Sequence, residues 1–183
     1  MTEDTELLAV LESLRERGAL GEVSLPAAVA HAGLFLAAIP SDCARLLDLG
    51  SGGGLPGLVL ASRLTNTFVV LTDRRERRMD LLRLASARLR IDARVSVRTG
   101  DVVNLARDPD LRGTFDVVTA RAFGEPLWTL SCAVPFLAPG GVVVISEPPL
   151  VDEAIRWPTD EVSRLGLKAS EQQFAHVKRF ERL

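Results

Sequence analysis

This chain of 183 residues has no tyrosine, two histidines, two cysteines and only 5% aromatic residues. Each shortage removes a class of chemistry. Cys43 and Cys132 form neither a disulfide scaffold nor a metal-ligand spacing. Each sits beside apolar residues, as a small buried hydrophobe does. His31 and His176 are too few for a histidine-rich metal site and no H-E-x-x-H occurs, so no metal is expected. His31 lies in an alanine-rich helical stretch and reads as structural or surface-exposed. There is no run of eighteen apolar residues, so no membrane-spanning helix is expected. The opening MTEDTELLAV is acidic where a secretory signal is basic, which points to a cytoplasmic location. The net charge of −2 lacks the excess of base usual in a binder of duplex nucleic acid, although the basic groups, almost all arginine, are locally clustered.

What is present is an ordinary globular composition, 47% hydrophobic and 25% charged, on a chain long enough for one buried core. Residues 1–183 are therefore expected to form a single domain, with residues 1–44 as a short helical cover. Leu7, Leu8, Leu11 and Leu14 have helical spacing, and Gly18 and Gly21 end that helix. Ser24 is the expected N-cap of a second helix, with Pro26 in its first turn and Pro40 beyond its end. From Arg45 onward, short apolar runs alternate with helical stretches. Strands are expected at Arg45–Leu49, Thr67–Thr72, Arg94–Thr99, Phe115–Ala120, Gly141–Ser146, Leu167–Ser170 and Phe174–Phe180. Helices are expected at Pro56–Arg63, Arg75–Arg90, Val102–Ala106, Glu125–Phe136 and Asp152–Arg164. This alternation predicts an α/β protein with a parallel sheet, helices on both faces and a closing hairpin at one edge.

The stretch "LLDLGSGGGLPG", Leu46 to Gly57, sets Gly50, Gly52, Gly53, Gly54 and Gly57 directly behind the first apolar run. In such a sheet the ligand crevice lies at the carboxyl ends of the strands. Glycine reaches positive φ at little cost and lets a ligand lie against the main chain. Gly50, Gly52 and Gly54 have the spacing G-x-G-x-G, and the run lacks the lysine and hydroxyl residue of a phosphate-cradling P-loop. Gly52 to Gly57 also satisfies a dinucleotide spacing, so spacing alone does not choose the ligand. Asp48 argues against a dinucleotide, because a carboxylate there repels a pyrophosphate and suits an ammonium. S-adenosyl-L-methionine carries an ammonium and a sulfonium and no phosphate. Asp73, closing "FVVLTD", stands at the right distance for a carboxylate that takes both ribose hydroxyls. After the third strand, Gly100, Asp101 and Val102 are placed to approach an adenine edge. Asp48 and Asp101 are also suited to capping turns or helices.

Together "DLGSGGGLPG", Asp73, "TGD", "FDVVTARAFGEP" and "FLAPGG" resemble a class I adenosylmethionine-dependent methyltransferase. More narrowly they resemble the bacterial glucose-inhibited-division B family, over about Arg45 to Ser146. The resemblance implies a Rossmann-like fold, a mostly parallel seven-stranded sheet with an antiparallel edge hairpin. It implies S-adenosyl-L-methionine as cofactor, held by Asp48, Gly50, Ser51, Gly52, Gly54, Asp73, Arg74, Gly100, Asp101, Val102 and Arg121. It further implies methylation of guanine N7 in 16S ribosomal RNA of the small subunit, with Thr119 and Arg121 beside the reaction centre. Where the family commonly has lysine-glycine after the fifth strand, this chain has Glu147-Pro148-Pro149. The family's tyrosine-proline-arginine-arginine near the carboxyl end has no counterpart. A small-molecule acceptor, or a non-catalytic adenosylmethionine-binding protein, are the alternatives these differences leave.

Guanine N7 offers an in-plane lone pair and has no proton to lose, so its methylation needs no general base, and none is evident. The expected substrate contacts are Arg121, Phe123 and Glu147. Arg121 suits guanine O6 or a phosphate; otherwise it pairs with Glu125 or Glu147. Phe123 stacks on a flat substrate or belongs to the core. Glu147 either faces the pocket, to meet an amino group or act as a base, or is a solvent-facing loop acid. Trp128, near Leu127 and Leu130, is expected to pack. Arg74, Arg75, Arg77 and Arg78 gather near one helix start, as a phosphate-tracking patch or as a solvated face with Arg78 paired to Glu76 or Asp80.

Overall fold

The computed structural model describes residues 3–148 and 152–183. Two helices, α1 (Glu3–Glu16) and α2 (Leu25–Leu34), precede β1 (Arg45–Leu49). There follow α3 (Gly57–Arg63), β2 (Phe68–Asp73), α4 (Glu76–Arg88), β3 (Val95–Thr99), α5 (Val102–Leu105) and β4 (Phe115–Ala120). The chain closes with α6 (Pro126–Ala133), β5 (Leu137–Ser146), α7 (Glu153–Arg156), α8 (Thr159–Arg164), β6 (Leu167–Ala169) and β7 (Val177–Arg182). The seven strands form one sheet in the order β3-β2-β1-β4-β5-β7-β6. β1 to β5 are parallel, and β7 runs antiparallel to both β5 and β6. The expected α/β sheet with its edge hairpin is thus what the chain forms. Among the described residues no helix is long and apolar enough to cross a membrane.

The reversal of strand order between β1 and β4 determines where a ligand can enter. β1 leads outward to β2 and β3, and the chain then returns to the other side of β1 as β4. The loops leaving β1 and β4 consequently diverge above their carboxyl ends and open a crevice. Side chains alternate across the strands into two cores. Leu46, Val69 and Leu71 face α3 and α4, and that core also takes Leu7, Leu11 and Leu14 of α1 and Leu25 and Ala32 of α2. Residues of both N-terminal helices thus pack into the core on one face of the sheet. Leu47, Val118, Val143 and Phe180 face α6 and α8 on the other.

Several boundaries differ from expectation for local reasons. The expected helix over Asp152–Arg164 is two short ones, because Pro158 cannot continue α7 and instead begins α8. The second strand runs to Asp73, so that residue ends the strand instead of following it. The fifth starts at Leu137, before the two glycines. The seventh starts at Val177, because His176 adopts φ 55° in the turn before it. Ser24 occupies the N-cap position of α2, yet its side chain makes no capping hydrogen bond. At the start of α6 a side chain does cap: Glu125 accepts from the N–H groups of Leu127 and Trp128 (3.3 and 3.0 Å). Glu125→Ala should cost about 1 kcal/mol in urea denaturation through those lost bonds.

Candidate active-site crevice

The turn after β1 needs glycine for two separate reasons. Gly50 has φ 65°, and Gly52 and Gly54 share that left-handed conformation, so the chain reverses immediately at the strand end. Gly57 is needed for close approach, since a Cβ there would lie 2.5 Å from the Asp48 carboxylate and 2.5 Å from Leu71. Ser51 ties the turn to the next strand. Its N–H donates to the Thr72 carbonyl (2.8 Å), its hydroxyl to the Asp48 carbonyl (3.0 Å), and its Oγ accepts from the Thr72 N–H (3.1 Å).

A cleft of about 210 Å³ opens beside this turn. Of the expected cofactor contacts, Gly50, Asp73, Arg74, Gly100, Asp101 and Val102 line it. Asp73 is held rigidly at the rim. One carboxylate oxygen accepts from the Gly52 N–H (3.2 Å) and the other from the N–H and Nε of Arg75 (2.9 and 3.3 Å). The oxygen bonded to Gly52 keeps lone-pair capacity for a further donor. Asp101 accepts from the Val103 N–H (2.9 Å), which makes it the N-cap of α5 as well as a wall of the cleft.

Asp48, Ser51, Gly52 and Gly54 do not line the cleft; they form its support. Asp48 is fully buried, with one oxygen accepting from the Thr119 hydroxyl (2.6 Å) and the other without a hydrogen-bond partner. Burial pushes its carboxyl up to about 6, against the opposing pull of the Thr119 hydroxyl. Thr119 is itself completely buried, so its hydroxyl stands behind the crevice, as the prop of Asp48.

A second cavity, of about 350 Å³, lies across the tips of β4 and β5. Arg121, Phe123 and Glu147 all line it, joined by His31 from α2. Arg121 makes no ion pair with Glu125 or Glu147, contrary to the structural alternative for it: Glu125 is spent on its cap and Glu147 on other partners. Glu147 is no solvent-facing acid, its side chain being 9% exposed. One oxygen accepts from Arg156 Nε (3.2 Å) and Trp157 Nε1 (2.9 Å), while the other has no partner. Burial raises its pKa and the Arg156 charge opposes that rise. His31 is a residue that sequence reasoning missed as a cavity wall, because an alanine-rich helix carries no sign of what its far end meets. Burial first, then the Arg121 charge, lowers its pKa, which favours the neutral imidazole. Pro148 reaches the same cavity, and Pro149 lies outside the described residues.

Two further expectations are corrected. Arg78 is not the partner of Glu76 or Asp80; Arg83, one turn closer to β3, pairs with both (3.7 and 2.6 Å). Trp128 is not packed away but 47% exposed, stacked on Phe123 at 5.1 Å between centroids and lining the first cleft. No cluster of three or more potential metal ligands occurs among the described residues.

The sheet order, the glycine turn and the crevice at the β1/β4 reversal are those of the Rossmann-like class I methyltransferases. An O-methyltransferase from Bacillus cereus, solved in complex with SAH, superposes with a TM-score of 0.69 at 17% identity, over 100% of this chain and 93% of that one. TomG of Streptomyces achromogenes, an O-methyltransferase solved with SAM, gives 0.66 at 18% identity, over 96% and 89%. At the level of sequence, the chain belongs to the GidB family, rRNA small subunit methyltransferase G, whose pattern matches residues 33–179. Ribosomal RNA small subunit methyltransferase G of Sorangium cellulosum is 41% identical over 102 residues, 56% of this chain and 42% of that protein. The protein of the same name from Prochlorococcus marinus is 38% identical over 101 residues, 55% and 41%. The chain thus matches about two fifths of the length of these curated relatives.

Proposed function

We propose that this chain transfers a methyl group from S-adenosyl-L-methionine, with the cofactor in the cleft beside the glycine turn and the acceptor in the cavity across β4 and β5. The observation that carries the reading is the placement of Asp73 at the β2 tip, facing a cleft walled by Gly50 on one side and Gly100 to Val102 on the other. A carboxylate there accepts from vicinal hydroxyls, and the bare main chain admits the aminoacyl end. Methyl transfer from a sulfonium is an in-line displacement: the carbon–sulfur bond breaks as the acceptor's lone pair takes the methyl, and positive charge leaves sulfur. Alignment and a fitting electrostatic field are what a protein contributes to it.

Two acceptors follow from different observations. Family membership favours N7 of a guanine in 16S ribosomal RNA, with Arg121 donating to O6 or a phosphate. The cavity itself favours a small molecule. Glu147 offsets the Arg156 charge at its wall, where a polyanionic backbone would meet a carboxylate. Its volume is that of a pocket for a compact ligand. The small-molecule reading is the better supported of the two. Its test is labelled methyl transfer from S-adenosylmethionine to undermethylated small ribosomal subunits and, in parallel, to a metabolite extract. Transfer to the extract alone is expected, reduced at least tenfold by Arg121→Ala. Transfer to the subunit alone would overturn the choice of acceptor, and cofactor binding without transfer to either would mark a non-catalytic binding protein.

A further inference from the structure

The two cavities that the reaction must connect meet along Ala122 and Phe123, and the Phe123 ring is the bulk between them. Phe123 lines both, and its ring lies so close over Gly50 that a Cβ on that glycine would come within 2.5 Å of it. A methyl group passing from a sulfonium beside the glycine turn to an acceptor beside Arg121 has to cross the place this ring occupies. The ring is held there from behind. Trp128 stacks on it nearly parallel, at 9°, and the same indole packs against Gly124, where a Cβ would meet it at 2.7 Å. The preceding residue, Ala122, is in the left-handed region at φ 50°, a conformation that costs a side-chain-bearing residue free energy. The segment from Ala122 to Gly124 is therefore clamped by the indole in a strained state.

We propose that Trp128 is a positioning residue: by stacking on Phe123 it holds a movable partition between the two cavities, which cofactor binding pushes off Gly50. The strain at Ala122 lowers the cost of opening, since the chain relaxes when the ring leaves. A ligand that binds the open arrangement better than the closed one shifts the population by its differential affinity. The partition thus keeps the acceptor side closed until the cofactor is seated. This inference rests on the reading of the first cleft as the cofactor site.

The test is titration of the full chain with S-adenosylhomocysteine, followed by tryptophan emission and by calorimetry. Wild type should bind with a change in emission, and Trp128→Phe, which leaves Trp157 as the remaining tryptophan, should bind without that change. Phe123→Ala, having no ring to displace, should bind about threefold tighter. Ala122→Gly should raise the melting temperature, because strain is relieved in the closed state, and yet weaken binding about fivefold. A merely structural role for this segment predicts no such opposition between stability and affinity. Binding by calorimetry with unchanged Trp128 emission overturns the partition and leaves the cofactor reading intact. So does a tenfold loss of affinity in Phe123→Ala, which would make the ring a fixed wall of the site, or unweakened binding in Ala122→Gly. Absence of binding in wild type removes the cofactor reading and the partition together.

Discussion

Asp73→Ala should raise the dissociation constant for S-adenosylhomocysteine about a hundredfold. Hydrogen bonds to a charged group contribute about 1.5–3 kcal/mol each, and loss of a carboxylate that takes two hydroxyls removes more than one of them. The oxygens of Asp73 also hold the Gly52 and Arg75 N–H groups, so the truncation frees two backbone donors near the glycine turn. Asp73→Asn separates the two effects. Its amide is isosteric with the carboxylate and retains one acceptor, so one of the two backbone bonds at the turn is kept while the charge and the other bond are lost. Calorimetry on both variants, with near-ultraviolet circular dichroism as the check on packing, should give a loss of at least tenfold for Asp73→Asn with native spectra. Unchanged affinity in Asp73→Asn, with the alanine variant folded and also unchanged, would remove Asp73 from the cofactor site.

Asp48→Asn should abolish a pH dependence of stability that the wild type shows. The Asp48 carboxyl is held at about 6 in the folded chain against an ordinary 3.8, chiefly by burial. An acid whose folded pKa is raised is stabilising while protonated. That contribution is complete below about pH 4 and is lost as pH climbs through 6. The loss amounts to about 3 kcal/mol, roughly half of it between pH 5 and pH 8. Urea denaturation at those two pH values should show wild type losing about 1.5 kcal/mol more than Asp48→Asn. Equal losses in the two proteins would show that Asp48 is ionised without penalty. Because Asp48 faces neither cavity, its replacement should weaken S-adenosylhomocysteine binding less than that of Asp73. Burial of the carboxyl, one oxygen of which lies beside Gly57 without a hydrogen-bond partner, is the source of the penalty.

A buried acid with a raised pKa beneath a ligand crevice is also a poised charge. The Arg121 charge pulls the Asp48 pKa down, and the same attraction offsets part of the cost that burial imposes on Arg121. Thr119 and Asp48 on one level, and Arg121 above them, connect the floor of the crevice to the acceptor cavity through β4. Asp48 and Thr119 are paired neighbours in the parallel register of β1 and β4, which is what brings their side chains together across the sheet.

How much of this was visible in the sequence depends on the range of the interaction. The glycine turn, the end of β1 at Leu49 and the capping of α5 by Asp101 are all local, so they follow from residue order and strand-helix alternation. The mostly parallel sheet and its hairpin edge follow as well, because short apolar runs separated by helices have few ways to close such a sheet. The misplaced features are those in which a competing local preference or a distant partner prevailed. Pro158 divided a helical pattern, Glu125 served as a cap in place of pairing with Arg121, and Arg83 took the acids assigned to Arg78.

By itself, then, the order of residues determined the α/β architecture, the bare turn behind β1 and the acid at each of three strand tips. Those depend on backbone preference and periodicity, which act over a few residues at a time. Only the tertiary structure decided which acids line the cleft and which are buried beneath it, that His31 joins Arg121 and Glu147 around one cavity, and that Phe123 stands between the two halves of the crevice. Such juxtapositions arise from packing between segments far apart along the chain, and nothing in a local pattern specifies what its side chains will meet.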